Sequence, residues 1–194
     1  MTIRLDQFLE EYKHEAKKSV GDIDKDKISK IVGEIESVSR QGGKIYTVGN
    51  GGSSSTAKHL ASDLDKTANL GVEFDINASS LVSNESLLTA WTNDDCWDSV
   101  YKQQLKGKIS ENDMLIAISV HGGTDEWSDN LVNAIDYSNS QGAKTVGLAG
   151  FDGGKFTNLC DQTVIISKES TILVESLHVL VHHLIVYGLK RCDL

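Results

Sequence analysis

Apolar residues near the start of the chain recur at helical spacing. Leu5, Phe8, Leu9 and Tyr12 fall at i, i+3, i+4 and i+7, and beyond Gly21 the run from Asp24 to Arg40 sets Ile28, Ile31, Val32, Ile35 and Val38 on one stripe. Together these stripes predict an N-terminal helical pair. Gly42-Gly43 ends the second helix, and Lys44–Val48 is a short β-branched and aromatic run closing on a glycine cluster, which reads as a strand. From there helix and strand patterns alternate. Helices are predicted from about Ser53 to Asp65, Asn84 to Thr92, Cys96 to Gly107, Trp127 to Gln141 and Thr171 to Leu189, with strands near Asn77–Val82, Met114–Ser119, Thr145–Leu148 and Thr163–Ile166. Short apolar strands separated by helices pair in parallel through right-handed crossovers and are covered on both faces. The expected fold class is α/β, a doubly wound parallel sheet, in a single domain over 1–194 made of a helical pair at 1–41 and an α/β sandwich at 42–194.

Composition narrows the partners. With 39% hydrophobic and 24% charged residues the 194-residue chain is an ordinary globular sequence, neither disordered nor fibrous. Its 19 basic and 28 acidic residues, formally −9, repel polyanions and leave no basic stripe, so neither nucleic acid nor an anionic membrane is an expected partner. The opening MTIRLDQFLEEYKHEAKK carries charge throughout. It has no apolar signal core, and no run reaches the ~18 apolar residues of a spanning helix, so a cytoplasmic location is expected. Cys96, Cys160 and Cys192 are scattered and odd in number, which suits reduced thiols better than disulfides or a cysteine zinc site.

In open parallel sheets ligands bind beyond the carboxyl ends of the strands, so the loops after Val48, Ser119 and Ala149 are the places for chemistry. The first loop, Gly49-Asn50-Gly51-Gly52-Ser53-Ser54-Ser55, leads from a strand into a helix, where glycines allow close backbone approach and the helix offers free N–H groups to an anion. It lacks the Lys-Ser/Thr pair of a Walker loop, and Ser54 holds the place of the third glycine of a dinucleotide fingerprint. Taken alone it reads equally as a tight turn and helix cap. The second loop, Ser119-Val120-His121-Gly122-Gly123-Thr124, repeats the device, and two such loops at neighbouring strand ends suit one small phosphate.

Histidines supply the second signal. His59 precedes Asp63 by one helical turn, and Glu175, His178, His182 and His183 share the last predicted helix. Two alignments are open there, because Glu175, Val179 and His183 line one face while Glu175, His178 and His182 line another. Imidazoles and carboxylates in this number suit zinc or a similar divalent ion, whereas a histidine on an apolar helix is also a common buried core residue.

Four stretches, VGNGGSSSTAKHLASDL, AISVHGGT, GAKTVGLAGFDGGKF and VESLHVLVHHLIVYGL, together resemble the SIS (sugar isomerase) domain, and within it the sedoheptulose 7-phosphate (phosphoheptose) isomerases, over nearly the whole chain. The resemblance implies a flavodoxin-like domain, a homotetramer with active sites where subunits meet, and interconversion of an aldose and a ketose phosphate through an enediol with a divalent metal, usually zinc. By position, it implies that Gly51, Gly52, Ser53, Ser119, His121 and Thr124 bind phosphate and that Asn50, Asp94 and Glu175 contact the sugar. It likewise implies that His59, Asp63, Glu175 and His183 hold the metal and that Asp63 and His183 are the acid/base pair. Asp63 stands where the family has glutamate, Glu175 where it has glutamine, His121 where it has serine, Ile172 where it has an acidic residue, and Thr67, beside Lys66, where it has arginine. Two other readings stay open: a non-catalytic phosphosugar sensor or DnaA-binding-type adaptor of the same fold, and a dinucleotide enzyme, which 194 residues leave little room for.

Overall fold

The computed structural model describes residues 4–124 and 126–191, without the side chain of Thr67; Cys192 lies outside them. Two helices, α1 (Leu5–Gly21) and α2 (Lys25–Arg40), precede the sheet. Asp24 caps α2 by accepting from the N–H groups of Asp26 and Lys27. The chain then runs β1 (Lys44–Gly49), α3 (Gly51–Ser62), β2 (Asn77–Ser80), α4 (Glu85–Asp94), a 3₁₀ turn (Trp97–Ser99), α5 (Val100–Leu105), β3 (Met114–Ser119), α6 (Asp129–Ser140), β4 (Lys144–Gly150), the one-turn α7 (Phe156–Leu159), β5 (Gln162–Ile166) and α8 (Thr171–Arg191). At its carboxyl end α3 passes into a π-helical segment, Asp63–Ala68.

All five strands pair in parallel in the order β2-β1-β3-β4-β5, so the fold is the expected α/β class. Along β3 the side chains alternate between two cores. Met114, Ile116 and Ile118 join Ile31, Ile35, Leu60, Val181 and Ile185 under α2, α3 and α8. Leu115 and Ala117 join Tyr101, Leu105, Leu131, Ile135 and Phe156 under α5, α6 and α7. This period of two is what a strand covered on both faces requires.

The sequence reading needs correcting in detail. The stretch read as one helix from Cys96 to Gly107 is a 3₁₀ turn followed by the short α5. The four-residue α7 is too short to show periodicity. Contrary to the expectation of no such stretch, α8 is long and apolar enough to cross a membrane; half of its apolar window is buried in the fold, where it packs on α2, α3 and the π segment.

Candidate active site

The strand order reverses between β1 and β3, which makes the crevice beyond their carboxyl ends the topological switch point. Both glycine-hydroxyl loops open there. At the end of β1, a Cβ on Gly49 would lie 2.6 Å from the Ser53 carbonyl oxygen, so only glycine lets the strand turn directly into α3. Asn50 occupies the N-cap position of α3 yet caps nothing. Its amide is instead tied to Asn130 by two reciprocal hydrogen bonds of 2.9 and 3.0 Å, and its Oδ1 accepts from the Tyr101 hydroxyl at 3.2 Å. Asn50 thus braces the first loop against α6, and α3 begins with no side chain satisfying its leading N–H groups. Ser53 is buried, Ser54 turns back to the Gly51 carbonyl (2.7 Å) and Ser55 is exposed. Tyr101, braced in this way, has its phenol pushed up to about 12 by burial.

The second loop is held from below. Gly122 has φ +65°, and a Cβ there would lie 2.0 Å from the Gly153 carbonyl oxygen. Its own carbonyl accepts from Phe156 N–H (2.9 Å), and that of Gly123 accepts from Lys155 N–H (2.9 Å). The glycine-rich turn after β4 is therefore the floor of this loop. Thr124 Oγ1 accepts from the N–H groups of Glu126 and Trp127 at 3.2 and 3.1 Å, which leaves its hydroxyl proton to donate outward. The His121 ring lies between Phe151 (centroids 4.4 Å) and Trp127 (5.3 Å), lining a cleft of about 410 Å³ with Thr124, Asp152, Lys168 and Glu169.

One side of α3 leads away from these loops to a cluster of titratable groups. Oδ2 of Asp63 lies 3.4 Å from Nε2 of His59, 3.2 Å from Nε2 of His182 and 3.5 Å from Nε2 of His183. One ligand-type atom from each of the four residues falls within 4.8 Å of the other three. The His182 side chain is wholly buried, Asp63 is 18% exposed, and His59 and His183 are 48% and 42% exposed, so the cluster opens to solvent on one side. Burial above all, with the neighbouring His183 and His59, pushes His182 down to about 4 despite its bond to Asp63. Neutral imidazole nitrogens and one carboxylate oxygen are the donors that zinc and similar divalent ions take, so the residues present fit such an ion.

Other expected residues lie elsewhere. Glu175 is half-buried on α8 with its carboxylate against Gly52, where a Cβ would come within 2.5 Å of Oε1. Asp94 ends the exposed α4, its carboxylate accepting only from Asn93 (2.8 Å) among the described residues. Ile172 is 66% exposed. His178 is buried with neither ring nitrogen partnered, and burial pushes it down to about 4. Sequence reasoning passes over Asn130 and Tyr101, which carry no motif. It names His182 only in the helix alignment that the resemblance sets aside.

A 2-1-3-4-5 parallel sheet with ligand loops at its switch point defines a flavodoxin-like α/β protein. Within that class the SIS domain model matches residues 8–150. The chain is 36% identical over 163 residues to a phosphoheptose isomerase of Aliarcobacter butzleri, covering 82% of this chain and 80% of that protein. The chain belongs to the SIS domain family. It is also 40% identical over 148 residues to the lincomycin biosynthesis protein LmbN of Streptomyces lincolnensis, covering 73% of this chain, and the match spans about half (54%) of that longer protein. Among solved structures, the phosphoheptose isomerase GmhA from Neisseria gonorrhoeae shares the fold with a TM-score of 0.86 over 97% of this chain and 98% of that one, at 24% identity.

Proposed function

We propose that the protein is a phosphosugar isomerase that interconverts an aldose and a ketose phosphate, sedoheptulose 7-phosphate and a heptose 7-phosphate, as a cytoplasmic homotetramer. The observation that carries this reading is the course of α3: its uncapped N-terminus opens at the switch point, and two turns later His59 joins the Asp63 cluster. That interval, roughly 10 Å, suits an extended sugar chain with phosphate at one end and reacting carbons at the other. The phosphate oxygens are taken by N–H groups of Gly51, Gly52 and Ser53 and by the hydroxyls of Ser53, Ser119 and Thr124. His121 lies beside them and Asn50 fixes the loop. Neutral donors at a helix terminus satisfy a phosphate without an arginine.

At the other end, Nε2 of His183 takes the proton from the carbon beside the carbonyl and returns it to the neighbouring carbon, while the proton on oxygen moves in the opposite sense. Asp63, 3.5 Å from that nitrogen, holds the ring and stabilises its charged form. His59, Asp63 and His183 would hold a divalent ion, most simply zinc, which when bound polarises the carbonyl and the developing enediolate as a Lewis acid. Asp94, exposed on α4, serves the site from a neighbouring subunit. The test compares binding with turnover. Asp63→Asn and His183→Gln should keep calorimetric affinity for sedoheptulose 7-phosphate while its conversion falls by about 10²-fold or more. Undiminished conversion in both variants would contradict the assignment.

A further inference from the structure

The isomerase proposed above must keep its metal while one of the groups around it carries a proton, and the argument here rests on that reading. The family resemblance puts Glu175 in the ligand set. In the structure Glu175 lies against Gly52, whereas His182 lies against His59 with ring centroids 4.5 Å apart. These two contacts are seven residues apart on α3 and seven apart on α8, so the helices run in parallel and the Glu175 level is two turns, roughly 10 Å, from the cluster. Tetrahedral zinc bonds of about 2.1 Å set any two ligand atoms about 3.4 Å apart. The separations from Asp63 Oδ2 to Nε2 of His59, His182 and His183, 3.4, 3.2 and 3.5 Å, are three edges of such a tetrahedron.

We infer that His182 is the fourth ligand of the metal site in place of Glu175, giving three imidazoles and one carboxylate. His182 is wholly buried, and its Nδ1 has no hydrogen-bond partner, so the ring has no competing use. His183 is the more exposed of the α8 pair. His59, Asp63 and His182 form the three-ligand protein set typical of catalytic zinc, and His183 can leave that set to carry its proton without releasing the ion. Glu175 is then a carboxylate facing the sugar beside the phosphate loop.

The experiment titrates zinc into metal-stripped wild type, His182→Gln and Glu175→Gln by calorimetry, with circular dichroism as a check on folding. Wild type should bind one ion per chain, His182→Gln should bind it at least ~10²-fold more weakly, and Glu175→Gln should stay within about threefold of wild type, since a residue outside the shell leaves zinc affinity unchanged. X-ray absorption of the zinc-loaded wild type should count three imidazoles, a readout that stands even where His182→Gln does not fold. Unchanged affinity in His182→Gln, marked loss in Glu175→Gln, or a count of two imidazoles overturns the inference and leaves the metal-assisted isomerase standing. A wild type that takes up no zinc overturns both.

Discussion

His178 and His182 sit one turn apart on the buried face of α8, and burial drives both toward the neutral form. His178, with no partner on either nitrogen, has a simple linkage. Its native value of about 4 lies below the unfolded 6.5. Above 6.5 both states are neutral and nothing is lost. Between 6.5 and 4 the unfolded chain binds a proton that the native chain refuses, so native stability falls as pH is lowered, by about 1.4 kcal/mol per pH unit for this one histidine. His178→Leu removes the proton site and keeps an apolar group of similar bulk. Denaturant midpoints measured from pH 6.5 to 4.5 should fall less steeply in His178→Leu than in wild type, and parallel slopes would contradict the linkage. Asp63 raises a different question, because the family's glutamate is one methylene longer. Its Oδ2 already lies at ligand distance from three ring nitrogens. Asp63→Glu should therefore crowd the cluster and lower turnover, and a gain of activity on sedoheptulose 7-phosphate would show that the site is not built around aspartate.

Elements differ in how much of them the sequence reveals. The strand β3 is legible to the residue, since all six positions are buried and polar segments bound them. The π segment after α3 is not, because Leu60, Leu64 and Ala68 keep a helical spacing of buried positions through the change in hydrogen-bond register. The loops announce themselves through glycine and hydroxyl clusters. The metal set on α8 does not, since His182 and His183 are adjacent, project about 100° apart, and His59 approaches between them. Bracing is invisible for a further reason: Asn50 and Asn130 meet across 80 residues of chain with no shared motif. That brace makes a prediction. Asn130→Ala removes both amide bonds at a fully buried position and should cost about 1–3 kcal/mol in chemical denaturation. It should also weaken phosphosugar binding, because the first loop loses its tie to α6. Unchanged affinity would mean that α3 alone sets the loop.

As a whole the molecule leaves apolar groups uncovered that a second copy could bury. Leu5, Phe8 and Leu9 on α1, and Leu184 and Tyr187 on α8, are all exposed. Phe8→Glu combined with Leu9→Glu should shift the species seen by sedimentation from tetramer toward smaller assemblies, and an unchanged tetramer would place the interface elsewhere. The net charge of −9 makes neutral N–H and O–H donors, rather than a positive field, responsible for holding a phosphate. Recognition must then come from the loops and chemistry from the cluster two turns away. The most direct measurement of that division is proton exchange itself. Wild-type protein loaded with zinc is incubated in deuterated water with a panel of aldose and ketose phosphates and with their unphosphorylated parents, and deuterium at C2 is followed by NMR. The account predicts exchange with sedoheptulose 7-phosphate and none with sedoheptulose; tight binding of a phosphosugar with no exchange at C2 would contradict it and make the protein a binder rather than an isomerase.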